Sequence, residues 1–111
     1  MLINLTSHVV RISGGRGGEV VVRPSGTYAK LRVLDVFLPD VDGVPAVGPV
    51  VQGIDDLPGP SDGVSYVVSR VVFEHCWDRP DVYAPGRPIR DKEGRIAQVY
   101  GLVGHMPGGK P

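Results

Sequence analysis

Apolar residues in this chain come in short runs broken by glycine, proline and aspartate, and each run has its own spacing. "INLTSHVVRI", residues 3–12, reads as a first strand bent near Ser7 and His8. "SGGRGG" then makes a flexible turn, because glycine enters positive φ without steric cost. "EVVVRP" is the return strand, so residues 2–23 are predicted to form a β-hairpin. Pro24, Ser25 and Gly26 turn the chain. From Tyr28 onward, Ala29, Leu31 and Val33 alternate with Lys30 and Arg32, the period-2 pattern of a half-buried strand. Asp42-Gly43 predicts a turn. "VPAVGPVVQG" follows as a strand held to a sheet edge, since Pro45 and Pro49 have no N–H for a ladder. "DDLPGPSDG" has the composition of a surface loop. "VSYVVS" is continuously apolar and β-branched, which places it centrally in a sheet.

The spacing changes at "SRVVFEHCWDRPDVYAPG" (69–86). On a helical wheel Val72, Phe73, Cys76 and Trp77 share one arc, and Arg70, Glu74, His75 and Asp78 lie opposite. Ser69 suits the N-cap, and Pro80 ends the element. "RPIR", the turn "DKEG" and "RIAQVYGLV" predict a last hairpin, and "GHMPGGKP" a frayed end. The expected fold class is α+β: a single small β-rich domain over residues 1–104, with a flexible tail at 105–111. Its sheet is expected to be mostly antiparallel, of about five to six strands, with one short helix near residues 70–78.

Composition narrows the function more than the fold. At 111 residues there is room for one core. Gly (16) and Pro (11) alternate with Val-rich runs, which is how β-proteins punctuate their turns. Twelve basic and twelve acidic residues balance to zero, which argues against a nucleic-acid partner held through phosphates. A factor using Arg87, Arg90, Lys92 and Arg95 around the last hairpin is weakened on the same ground. The single cysteine can make no internal disulfide. There is no signal-like start and no apolar run of membrane-helix length, so a soluble, cytoplasmic chain with no membrane partner is expected.

Candidate chemistry is sparse. His75 and Cys76 are adjacent and point about 100° apart on a helix, which does not suit one shared metal ion. The same geometry argues against a His-activated cysteine nucleophile. Asp55-Asp56 sit where aspartate makes turns, and Asp81 after Arg79-Pro80 suits a local ion pair that pins the loop. "SGGRGG" lacks the spacing and the following helix of a dinucleotide loop, although Arg16 could touch an anion. No catalytic set, metal or cofactor is expected, and binding is favoured over catalysis.

Several motifs together resemble a known family. They are "INLTSH", "VVRPSGTYAKLRV", "DLPGPSDGVSYVVSRVV", "RPDVYAPGRPIRD" and "GRIAQVYGL". The family comprises small uncharacterised proteins of actinobacteria, other bacteria and their phages or plasmids. Its pattern has an INLTPH opening, a PSG turn, a YIVS strand, an RDDxxxPG element and a GRIIG-type closing strand. The chain departs at Ser7, where the pattern has proline, and at "FEHCW". The resemblance implies an accessory protein of a mobile element or its host, with no activity attached. It also marks the polar positions Asn4, Thr6, His8, Ser25, Ser69, Arg79 and Asp81.

Asn4, Thr6 and His8 would share one strand face and could simply meet water. Alternatively they line a pocket with Ser69, Arg79 and Asp81, where Arg79 binds an anion. A small-ligand-binding or protein-interaction module follows, taking a small anionic ligand or a protein partner. "VSYVVS" or "RIAQVYGL" could pair with a partner strand, and homo-oligomerisation would help so small a core. The catalytic alternative is a small hydrolase or transferase on a phosphorylated ligand. It needs His8 as general base beside Arg79 in one concave site.

Overall fold

The computed structural model describes residues 1–15 and 18–106. Its strands are β1 (Leu2–Asn4), β2 (Val10–Gly15), β3 (Gly18–Val22), β4 (Lys30–Val41), β5 (Val44–Asp55), β6 (Ser65–Val67), β7 (Val82–Arg90) and β8 (Ile96–Gly104). One helix, α1 (Arg70–Phe73), lies between β6 and β7. The class is therefore the β-rich α+β arrangement expected from the sequence. Six strands form a mixed sheet in the order β1, β6, β7, β8, β2, β3, and β4 and β5 form a ribbon of their own. The long ladders are antiparallel (β7 with β8, β4 with β5, β2 with β3). The short ones, β1 with β6, β6 with β7 and β2 with β8, are parallel.

The predicted first strand is two strands. β1 and β2 are separated by Leu5–Val9, and β1 leaves for the opposite end of the sheet to pair with β6. The reason is the run Thr6-Ser7-His8, whose polar groups bond locally instead of entering a ladder. The sheet then curls until its two ends meet. Asn4 bridges Pro24, just after β3, and the Ser25 N–H donates to the Asn4 carbonyl at 3.0 Å. One bridge thus ties the two ends of the main sheet together.

β6 is central, as its apolar run implies. Tyr66 and Val68 join a core cluster with Leu5, Val72, Phe73, Cys76 and Val82. Val67 points the other way, into a second cluster with Val10 and Ile12. β6 lies between β1 and β7, and β8 between β7 and β2, so each has a neighbouring strand on both sides.

The helix is shorter than expected. Ser69 caps it, with its hydroxyl accepting from the Val72 N–H at 3.4 Å. After Phe73 the bonds tighten, His75 N–H to Val72 O and Cys76 N–H to Phe73 O. This i to i+3 pattern ends an α-helix. Val72, Phe73 and Cys76 are buried as the wheel predicts, but the wheel fails beyond them: Trp77 is 44% exposed.

The ribbon departs most from expectation. β4 and β5 are joined at Asp42-Gly43, whose φ values of 50° and 79° make the tight turn the sequence predicts. Among the described residues its anchor is the base, where Leu31 and Ile54 pack against the core. A bulge at the base, Arg32 opposite Gly53 and then Val33 opposite Val51, leaves Gln52 as the extra residue. Beyond it the ribbon is an arm whose β4 side is exposed on both faces. It is not the half-buried strand that the alternation around Leu31 suggested. The molecule is accordingly long, with principal extents of 57 × 40 × 29 Å.

Candidate functional site

The sequence-marked residues divide into two structural groups. Asn4 is 1% exposed. Its Nδ2 donates to the carbonyls of His8 (2.8 Å) and Val22 (3.0 Å), and its Oδ1 accepts from the Thr6 N–H (2.9 Å) and hydroxyl (2.7 Å). All four of its hydrogen-bonding positions are used. With its one proton on Asn4, the Thr6 oxygen accepts from the His8 N–H at 3.4 Å. Asn4 therefore does not face water beside Thr6 and His8; it turns inward and fixes the 5–9 loop to the end of β3. Ser25 closes a local turn with Thr27.

Arg79 and Asp81 form the second group. The guanidinium grips the carboxylate with Nε to Oδ1 at 2.9 Å and Nη2 to Oδ2 at 2.8 Å, and Nη2 also donates to Pro58 O at 2.8 Å. This is the loop-pinning ion pair, joining the entry of β7 to the 57–63 loop. Hydrogen bonding to Arg79 holds the Asp81 carboxyl below its ordinary range. A depressed folded pKa gives stability that is complete above the ordinary carboxylate value near 4 and lost as pH falls through the folded value. Asp81→Asn should cost about 2 kcal/mol at neutral pH. In urea titrations the gap from wild type should narrow below about pH 4; a gap unchanged by acid would contradict this account.

His8 and Arg79 line separate clefts. Arg79 borders one near Gly53, His75 and Cys76, at the root of the arm. His8 borders another with Thr6 and Ser69. A reaction using both on one substrate has no shared floor here.

Burial pushes the Cys76 thiol up, and its Sγ donates to Val72 O at 3.1 Å, so it is a packed, protonated side chain. The neighbouring His75 ring bonds Val71 O on the exposed side. Among the described residues no three His, Cys, Asp or Glu side chains are grouped to hold a metal ion, and no helix is long and apolar enough to cross a membrane. His105, expected in the tail, instead stacks on Phe73 at 3.9 Å and bonds its carbonyl at 2.9 Å. Arg16, raised above as an anion contact, lies outside the described residues.

Two surfaces of the described residues combine apolar and exposed side chains most clearly. One is the His8 cleft, about 550 Å³, lined by apolar Val10, Pro85, Ile96 and Val99 together with Arg11 and Arg70. Each arginine holds a surface ion pair, with Glu19 and Glu74 respectively.

The other surface is the arm. Residues directly opposite share a face. One face therefore presents Val33, Asp35 and Phe37 across from Val51, Pro49 and Val47, and the other presents Leu34, Val36 and Leu38 across from Val50, Gly48 and Ala46. Phe37 is 90% exposed, and most of the other large apolar residues here are at least one-third exposed. The apolar run of the arm was visible in the sequence, but an apolar run does not say which molecule buries it.

Comparison with family models, curated proteins and solved structures finds no match to this chain.

Proposed function

We propose that this protein is a non-enzymatic protein-interaction module, an accessory protein of a mobile element or its host, whose working surface is the β4–β5 arm. The observation that carries the reading is Phe37, nearly fully exposed on a ribbon that is apolar on both faces. A two-stranded ribbon is marginal in water, and an apolar surface of this kind marks a contact site. The main sheet bridges its own ends at Asn4 and Pro24, whereas the arm leaves apolar residues open on both faces. The motif resemblance supplies the mobile-element setting. A buried, unpaired thiol suits a cytoplasmic location.

A photo-crosslinking residue at Phe37, expressed in the host, should give discrete protein adducts, whereas one at Ser61 on the exposed loop should not. Absence of any protein adduct from Phe37, Leu34 and Val50 alike would overturn the reading.

A further inference from the structure

We propose that the arm's partner is a second copy of this chain, with the arm of one molecule lying in the His8 cleft of the next. The inference rests on the arm being the interaction surface and goes on to name what covers it. Charge is the first argument. From Val33 to Ile54 the charged residues are Asp35, Asp40 and Asp42, so the arm carries −3 and, the chain being neutral, the remainder carries +3. Arm-on-arm pairing would set like charge against like charge, whereas arm-on-body pairing is complementary. The β5 edge is further blunted by Pro45 and Pro49, which cannot donate to an added strand.

The residue types also correspond. Asp35 and Phe37 share a face of β4, two residues apart and so separated by about 7 Å. The cleft sets apolar Val10, Ile96 and Val99 beside Arg11 and Arg70. Phe37 packs on these apolar side chains while Asp35 meets Arg11 or Arg70. The present partners of those arginines do not oppose this, because exposed ion pairs such as Arg11–Glu19 and Arg70–Glu74 contribute under about 1 kcal/mol and exchange readily. An arm-to-cleft contact is heterologous: each copy gives one arm and receives another. It closes into a ring or continues as a filament.

Sedimentation of the purified chain tests this. Wild type should grow in mass with concentration and dissociate as salt rises. Phe37→Asp disables the arm, and Ile96→Asp, at an exposed cleft position, disables the cleft. Each should weaken association about 30-fold or more, with thermal melting confirming that both fold. Mixed in equal amounts, the two should form pairs and nothing larger, because one intact arm and one intact cleft remain. A wild type that stays a single chain at every concentration, or folded variants that fail to pair, would overturn the proposal. Phe37 crosslinks to a different protein would then leave the interaction reading standing, whereas loss of all crosslinks would remove both.

Discussion

Gly86→Ala is expected to lower the melting temperature by roughly 10–20 °C, from a loss of about 3 kcal/mol. A Cβ built on Gly86 would overlap the backbone carbonyl of Tyr100 and lie 2.7 Å from that of Gly101. These are main-chain atoms of β8, which cannot rotate aside as a side chain does. The last hairpin would have to open where it joins the main sheet. Gly101, directly across, is the control. Its φ of 61° is left-handed, but an added Cβ meets nothing within 4 Å. Gly101→Ala should therefore cost only about 1 kcal/mol of backbone strain. Thermal unfolding of the two variants side by side is the test: equal, small losses would mean that β8 yields to the added Cβ and that close approach does not set the requirement at Gly86.

Asn4→Ala should cost about 3 kcal/mol, because it strips partners from the Val22 and His8 carbonyls and the Thr6 N–H together. Asn4→Asp is the sharper test. It matches asparagine closely in shape and keeps the acceptor that Thr6 uses. It also replaces the donor facing two carbonyls with an oxygen, inside a site closed to water. The near-isostere should be at least as damaging as alanine. If Asn4→Asp melts near wild type, the amide is not what joins the two ends of the sheet.

These residues also mark where sequence reasoning succeeds and where it stops. Ser69 as N-cap, the Asp42-Gly43 turn and the inward Val72, Phe73 and Cys76 were legible because capping, turn geometry and helical spacing act within a few residues. Trp77 was misplaced because the wheel assumed a helix that ends at Phe73. Asn4 was misread because alternation sorts side chains to two faces. It does not foresee an amide that turns back to satisfy a loop and a distant strand. The arm was correctly read as strands but wrongly as half-buried. Val33, Leu34, Val36 and Phe37 carry the same apolar signal whether their own core or another surface covers them. Of the candidate site, Thr6, His8 and Ser69 do share a cleft, whereas Arg79 and Asp81 spend their charges on each other.

The parallel pairing of β1 with β6 has a consequence for how the chain is made. Leu2 aligns with Ser65, so the first strand has no seat until more than half of the protein has been synthesised. The arm needs no such wait, because its two strands are neighbours in sequence joined by a tight turn, and local hairpins form in about 1–10 μs. Long-range closure of the sheet is slower by orders of magnitude. The arm's pairing can therefore be sampled before its body exists, but a lone ribbon is marginal in water, so the arm becomes lasting only when the core closes on Leu31 and Ile54 at its base.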